Sequence, residues 1–316
     1  MAYFKIIAAF ARGGHVRANM VNGNGFESGY SGDMIRTFFF FFVASLLAHA
    51  QYTPANQKWN QPIEPFRIVG NLYYVGASDV SSFLITTPEG HILIDSGFRE
   101  TVPIIEANIK KLGLRMEDVH LLLISHGHYD HVGGIAEIKA RTKARLLANP
   151  VEDPLLARGG KGDFAFQDNF SFPPITPDGS LKDGEEVSLG GTVLTTHFTP
   201  GHTKGCTSWT ATIQEGGRPY RVVIACSLTA PGYQLVNNPQ YPEIIADFEA
   251  TFAKLRALPC DIFLSLHSWD FGLLKKIQAR RSDPSHNPFV DPDGYQNFLD
   301  KAQAAIQKQI EEQKRK

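Results

Sequence analysis

The sequence predicts a mixed α/β fold in which two β-sheets pack face to face and helices cover the outside. Short strand-like runs separated by turns occur in both halves of the chain, and each half then ends in helical patterns. The chain has 316 residues, of which 43% are hydrophobic and 20% are charged. These are ordinary values for a globular protein, and the length allows one large domain or two small ones.

In the first half, apolar runs are separated by residues that favour turns. Gly-Asn at 70–71 and Pro-Glu-Gly at 88–90 end two of the early runs. Further along, apolar residues recur at helical spacing. The predicted strands are 66–69, 72–75, 83–86, 91–94, 120–125 and 144–148, and the predicted helices are 101–112 and 131–139.

The second half begins with a long irregular stretch, 150–184, which is rich in Gly, Pro, Asp and Phe and predicts surface loops. Regular patterns then return. The predicted strands are 192–199, 207–213, 221–225 and 261–266, and the predicted helices are 242–258 and a last one from about Asp293. No fixed-period repeat or low-complexity linker interrupts 51–316, so we expect this range to form a single domain.

Charge and cysteine content exclude several classes of protein. The net charge is −1, and no basic cluster suited to nucleic acid or to an anionic membrane surface is present in the sequence. We therefore expect no nucleic-acid partner. Three cysteines without Cys-x-x-Cys spacing are too few for a disulfide scaffold.

Residues 34–50 have the pattern of a secretory signal peptide. Arg36 gives a positive start, 38–48 is an apolar run of eleven residues, and Ala48-His49-Ala50 is a suitable cleavage site. The run is too short to span a bilayer, so we expect cleavage after Ala50 and no remaining membrane anchor. Residues 1–33 are then expected to be a non-native or disordered upstream extension.

A cluster of metal-binding residue types follows the predicted strand 120–125. The segment SHGHYDH (125–131) contains His126, His128, Asp130 and His131, and such groups are costly to bury without partners. Two imidazoles at i and i+2 in an extended segment can face the same side. Neutral imidazoles with one carboxylate are ligands suited to zinc. The alternative is a loop whose histidines only form structural hydrogen bonds. That alternative would account for two isolated histidines, but it accounts poorly for this cluster.

Two later histidines lie at predicted strand ends beside polar or glycine-rich loops. His202 occurs in TPGHTKG (199–205), and His267 occurs in LSLHSW (264–269). Each alone is more typical of a structural histidine, but together with the first cluster they complete two sites of three donors each. Three protein ligands per metal leave a position open, as in catalytic zinc sites.

These motifs together resemble those of the metallo-β-lactamase superfamily. The resemblance covers about 60–280 and depends on GHILIDSG (90–97), SHGHYDHVGG (125–134), TPGHTKGCTSW (199–209) and DIFLSLH (261–267). It implies a four-layered αββα sandwich, in agreement with the order of predicted elements. It also implies two Zn²⁺ ions per chain.

The resemblance assigns roles to individual residues. It places the first zinc on His126, His128 and His202, and the second zinc on Asp130, His131 and His267. Asp130 would also orient the attacking water, which makes it the expected catalytic residue. Asp95, in LIDSG, would support the metal-binding loops through hydrogen bonds.

One departure distinguishes between branches of the superfamily. In the glyoxalase, lactonase and ribonuclease branches, the strand after the PGHT motif ends in an aspartate that bridges the metals, whereas RVVIACSL (221–228) contains no carboxylate. This resembles the β-lactamases. Two of their subclasses use a cysteine ligand near this point, for which Cys226 is a candidate. The third has a serine there and uses the histidine of the DH pair, and Ser227 with His131 resembles that subclass more closely.

The same stretch suggests substrate contacts and a disulfide. Ser227 and Thr229 resemble the polar pair that binds the substrate carboxylate, and Tyr233 is expected to face the site. Cys206 and Cys226 are twenty residues apart on strands expected to be neighbours. In an exported protein, a disulfide between them is expected.

The resemblance implies an exported dizinc β-lactamase in the periplasm. Such an enzyme opens the β-lactam amide of penicillins, cephalosporins and carbapenems with zinc-activated hydroxide and confers antibiotic resistance. The expected partner is therefore a small-molecule antibiotic, and we expect a monomer. A related lactonase or thioesterase is the alternative, and a non-catalytic zinc protein is disfavoured by the open metal positions.

Overall fold

The computed structural model describes residues 54–315, so the predicted signal peptide at 34–50 and the upstream residues 1–33 lie outside the described range. Two sheets dominate this part of the chain. Their strands are β1 Phe66–Val69, β2 Leu72–Tyr74, β3 Phe83–Thr87, β4 Gly90–Ile94, β5 Val119–Leu123, β6 Arg145–Ala148, β7 Gly179–Ser180, β8 Glu186–Leu189, β9 Thr192–Phe198, β10 Thr207–Glu215, β11 Arg218–Ala225 and β12 Ile262–Ser265.

Helices connect and cover these strands. The α-helices are α1 Pro54–Gln57, α2 Val102–Lys111, α3 Tyr129–Val132, α4 Ile135–Thr142, α5 Asp153–Ala157, α6 Ile244–Ala257, α7 Leu273–Ser282 and α8 Pro292–Lys314. Short 3₁₀ helices occur at Lys58–Asn60, Arg99–Thr101 and Met116–Asp118. No helix among the described residues is sufficiently long and apolar to cross a membrane.

Each sheet combines antiparallel and parallel strands. The first runs in the order β1-β2-β3-β4-β5-β6-β7, antiparallel up to β4 and parallel from β4 onward. The second runs in the order β12-β11-β10-β9-β8, and only the β11–β12 pair is parallel. Parallel neighbours end at the same edge of their sheet, so the loops after them converge.

Side-chain alternation along β5 shows how the layers are built. Leu121 and Leu123 belong to the core shared with the second sheet, whereas Leu122 belongs to the core under α2 and α4. Because successive side chains of a strand point to opposite faces, an apolar run can fill both cores. The predicted strand 120–125 owes its continuous hydrophobicity to this double burial.

The second sheet has its own helical cover. Phe263 of β12 packs its ring against Tyr295 and Phe298 of α8, with ring centroids 5.3 and 4.6 Å apart. Phe248 and Phe252 of α6 belong to the same core, which also includes the fully buried Trp209 of β10. The layers therefore run helix, sheet, sheet, helix, and the predicted mixed α/β fold with two sheets is confirmed.

The structure corrects two of the predicted elements and adds two that were not predicted. The predicted helix 131–139 is two helices, α3 and α4, separated at Gly133-Gly134, where a Cβ on Gly133 would lie 2.7 Å from the backbone nitrogen of Arg99. The predicted loop 150–184 contains α5 and β7. Strand β8 and helix α7 were not predicted at all. Helix α7 has a mostly exposed, polar sequence with weak periodicity, and β8 has only four residues.

Candidate metal centre

The predicted donors follow the carboxyl ends of three strands. His126, His128, Asp130 and His131 come after β5, His202 lies between β9 and β10, and His267 follows β12. His128 has an extended backbone (φ −93°, ψ 150°) and precedes α3, whose single turn carries Asp130 and His131. This change from extended to helical backbone turns neighbouring side chains toward different points.

The first set of donors consists of His126, His128 and His202. The Nδ1 atom of His128 lies 3.1 Å from Nε2 of His202. The ring centroids of these two residues lie 4.7 and 4.8 Å from that of His126. One ligand atom of each residue falls within 4.8 Å of the others, so all three can reach one ion.

The second set consists of Asp130, His131 and His267. Oδ2 of Asp130 lies 3.6 Å from Nε2 of His131 and 3.8 Å from Nε2 of His267. The rings of His126 and His131 are only 4.5 Å apart, so the two sets adjoin. The structure therefore brings together all six residues that the sequence predicts as metal ligands.

The imidazole nitrogens that face away from the donor sets also have polar neighbours. Nδ1 of His267 contacts Oδ2 of Asp79 at 2.8 Å, and Nδ1 of His202 contacts the carbonyl of Thr229 at 2.7 Å. The outward nitrogens of the other three histidines also have polar neighbours: His126 lies near Ser125, His131 near Asp95 and His128 near Asp163. Such partners fix the ring orientation and tautomer of metal-binding histidines.

Asp95, to which the resemblance gave a supporting role, contacts the segment that carries the first cluster. Its Oδ1 accepts a hydrogen bond from the backbone N–H of Ser125 (2.8 Å), and its Oδ2 accepts one from the Ser125 hydroxyl (2.6 Å). Oδ2 also lies 3.6 Å from Nδ1 of His131. Burial raises the pKa of Asp95 to about 7, against the lowering effect of the two hydrogen bonds.

Burial keeps most of the donor imidazoles neutral at neutral pH. It lowers the pKa of His126 well below its ordinary value and lowers those of His131 and His202 to about 3. Neutral imidazole is the form that binds a metal ion. For His267, burial lowers the pKa, but the hydrogen bond to Asp79 and nearby carboxylates outweigh it, so the net shift is upward.

The donor chemistry fits zinc. Nε2 of His126 is buried and has no hydrogen-bond partner among the described residues, although it points toward His128 and His202. An unpaired buried nitrogen costs free energy that a metal ion would offset. Five imidazoles with one carboxylate are ligands that zinc accepts, and three donors per set leave each ion an open position.

Two of the three residues predicted to contact substrate lie beside the first set. Thr229 is exposed, and Tyr233 is buried with its ring 5.7 Å from that of His202. The Tyr233 hydroxyl has no hydrogen-bond partner among the described residues. Ser227 is buried at the end of β11. The structure also shows a contact of Thr229 that was not predicted: its main-chain carbonyl accepts a hydrogen bond from Nδ1 of His202.

Cys206, which directly precedes β10, and Cys226, which directly follows β11, form a disulfide with their Cα atoms 6.0 Å apart. Sγ of Cys226 lies 3.7 Å from Nδ1 of His126, behind the first donor set. A disulfide sulfur is not the thiolate that binds zinc, so the structure does not support Cys226 as a metal ligand. Cys260 is a buried free thiol.

Sequence reasoning missed several residues that shape the site. Asp79 and Asp163 are buried carboxylates that contact His267 and His128, at 2.8 and 3.5 Å. Trp269 stacks on His267 with ring centroids 4.3 Å apart while 54% of it remains exposed. Motif spacing cannot reveal Asp79, because it lies 188 positions from its partner.

Replacing Asp79 with alanine is expected to weaken metal binding at the second set about 10- to 100-fold, as loss of a histidine's carboxylate partner does elsewhere. The reason is that Nδ1 of His267 would lose the acceptor that fixes its tautomer. A competition titration against a chromophoric chelator measures the affinity. Asp118→Ala, at a half-exposed position, is the control, and unchanged affinity in Asp79→Ala would contradict the assignment.

Comparison with known proteins agrees with this geometry. Residues 75–215 match the model of the metallo-β-lactamase superfamily, and this range contains every donor except His267. The native FEZ-1 metallo-β-lactamase from Legionella gormanii is 43% identical with a TM-score of 0.79, over 81% of this chain and 98% of that one. The class B3 di-zinc metallo-β-lactamase LRA-12, from an Alaskan soil metagenome, is 37% identical with a TM-score of 0.77, over 81% and 97%.

A curated relative carries a different name. The hydroxyacylglutathione hydrolase from Methylobacterium nodulans is 37% identical over 94 residues, which are 30% of this chain and only 29% of that protein. The chain therefore spans less than a third of this relative, whereas it spans nearly all of the solved structures above. From this similarity in sequence and fold, the chain belongs to the metallo-β-lactamase superfamily.

Proposed function

We propose that this protein is an exported dizinc β-lactamase that hydrolyses the β-lactam amide of penicillins, cephalosporins and carbapenems and so confers resistance to them. The observation that carries the proposal is the pair of adjoining three-donor sets, each with a position left for water or substrate. The near-complete overlap with solved metallo-β-lactamases supports the choice of substrate class.

A β-lactam is a strained amide whose opening needs a nucleophile, a polarised carbonyl and a stabilised leaving nitrogen. Zinc held by these donors would lower the pKa of its bound water to about 7 and would polarise the carbonyl of the β-lactam. Asp130 directs Oδ2 toward His131 and His267, which leaves Oδ1 to accept a hydrogen bond from the attacking water. Burial alone would raise the pKa of Asp130, but the neighbouring histidines and a backbone hydrogen bond lower it on balance, so the carboxylate stays ionised.

Tyr233 is suited to hydrogen-bond the substrate. Burial raises the pKa of its hydroxyl well above the ordinary value, so the group keeps its proton and can donate it to a carbonyl oxygen. Its ring stacks on His202 with centroids 5.7 Å apart, and this closeness to the first donor set supports the proposed role. The exposed side chain of Thr229 lies next to the same histidine, within reach of a substrate carboxylate.

Two cavities lie near the donor sets, although none of the six donors lines either of them. One of about 740 Å³ is lined in part by Thr229 and Trp269, which contact His202 and His267 respectively. Another of about 410 Å³ includes Asp163 in its lining.

A lactonase or thioesterase is the second candidate, since a hydroxyacylglutathione hydrolase is among the relatives. Against it, β11 is followed by Cys226 and Ser227, with no carboxylate where those branches carry the bridging aspartate. Steady-state assays of the full chain on benzylpenicillin, a cephalosporin, a carbapenem, a glutathione thioester and an acyl lactone separate the two. We expect ring opening of the β-lactams; opening of thioester or lactone alone would overturn the proposal.

Export is proposed from the signal-peptide pattern at 34–50. When the full chain is expressed in a Gram-negative host, we expect mass spectrometry to find protein beginning at Gln51 in the periplasmic fraction. Intact chain retained in the cytoplasm would contradict export. Sedimentation of the purified enzyme tests the expected monomer in the same preparation.

A further inference from the structure

Glu152, which directly precedes α5, is a buried carboxylate that no motif in the sequence marks. Only 2% of the residue is exposed, and it forms no ion pair with Lys or Arg among the described residues. We propose that Glu152 is a positioning residue that holds the two loops of the first donor set together and so controls metal affinity at that set alone. The inference deepens the proposed function, since it concerns the same metal centre.

Both carboxylate oxygens of Glu152 are used, and they reach two loops that are far apart in sequence. Oε1 accepts hydrogen bonds from the Thr203 hydroxyl (2.6 Å) and from the backbone N–H of Gly205 (3.0 Å). Oε2 accepts one from the backbone N–H of Gly127 (3.1 Å). One side chain therefore bridges the loop after β5 and the loop after β9. Hydrogen bonds to a charged acceptor are stronger than neutral ones.

The bridged positions adjoin the first donor set. Gly127 lies between His126 and His128, and Thr203 directly follows His202. A shift of either loop would therefore separate these three imidazoles. The second set depends on other carboxylates: Asp79 contacts His267, and Asp95 lies near His131.

The close approach of Glu152 explains two glycines in the metal-binding motifs. A Cβ on Gly127 would lie 2.5 Å from Oε2 of Glu152, and a Cβ on Gly205 would lie 2.7 Å from Oε1. Neither glycine has a positive φ angle, so backbone conformation does not require glycine at these positions. One glycine in each of the motifs SHGHYDH and PGHTKG therefore leaves room for the carboxylate of Glu152, which lies outside both motifs.

The test is metal binding by the full chain carrying Glu152→Gln. Glutamine keeps the size but removes the charge, and its NH₂ group cannot accept from a backbone N–H. We expect the zinc dissociation constant of the first set to rise about 10- to 100-fold, the range seen when supporting carboxylates are lost, with the second set changed less than about twofold. Competition titration gives the two constants, and zinc-edge anomalous diffraction at limiting zinc shows which set loses occupancy.

Three controls keep the test interpretable. Glu249→Gln, on the exposed face of α6, should bind both ions as the unmodified chain does. Thr203→Val removes one of the three hydrogen bonds and should give a smaller loss at the first set, which serves if Glu152→Gln fails to fold. The melting temperature of the metal-free variant reports folding separately from metal affinity.

Two results would overturn the inference: unchanged affinity at the first set in Glu152→Gln, or equal weakening of both sets. The second result would mean that Glu152 supports the fold generally. These outcomes are independent of the substrate. If the unmodified chain binds two zinc ions but opens no β-lactam, the proposed function fails while the role of Glu152 is still tested by metal binding.

Discussion

Removal of divalent metal by a chelator is expected to reduce β-lactam hydrolysis by the full chain to the uncatalysed rate. The chemistry needs a nucleophile, and free water has a pKa of about 15.7 compared with about 7 on zinc. The sequence contains no S-x-x-K motif that could supply a serine nucleophile instead. The measurement is the initial rate before and after chelation, with residual metal determined by elemental analysis.

Added zinc should restore the activity after the chelator is removed. Magnesium should not, because Mg²⁺ prefers oxygen ligands in octahedral geometry and five of the six donors here are imidazoles. Full activity in a sample shown to contain no metal would contradict the proposed mechanism.

Replacing Asp130 with asparagine is expected to lower kcat/KM for benzylpenicillin about 10²- to 10⁴-fold, the range for a positioned acid–base group. The variant loses the negative charge that faces His131 and His267, and it loses the acceptor proposed to orient water. Steady-state kinetics at saturating zinc measure the change. Asp118→Asn, at a half-exposed position, is the matched control.

Zinc content must be measured alongside the kinetics of Asp130→Asn, because this residue is also a ligand. A variant with one zinc and low activity agrees with its role in the second set. A variant that keeps two zinc ions and an unchanged kcat/KM would show that the Asp130 carboxylate is needed neither for metal binding nor for orienting water.

The donor sets could be predicted from the sequence because their signal is local. Four donors lie within six positions after a buried strand, and His202 and His267 each occupy a strand end. The donors follow β5 of the first sheet and β9 and β12 of the second, and the face-to-face packing of the two sheets brings these strand ends together. The sandwich of two sheets follows from the same pattern of short apolar runs.

The supporting contacts could not be predicted, because they join residues that no local pattern connects. Glu152 lies 25 positions from Gly127 and 51 from Thr203, and an acidic residue before a short helix suggests only an exposed turn. The support that Thr229 gives to His202 was missed for another reason. Its contact with His202 is made by the main chain, which every residue type shares.

The central claim is that six side chains hold two neighbouring zinc ions, and the most direct test is a crystal of the full chain or its processed form grown with excess zinc. Anomalous diffraction at the zinc edge should give two peaks. One should lie about 2.0–2.2 Å from His126, His128 and His202, and the other at the same distance from Asp130, His131 and His267. A single peak, or a peak from which His131 or His267 is turned away, would contradict the account.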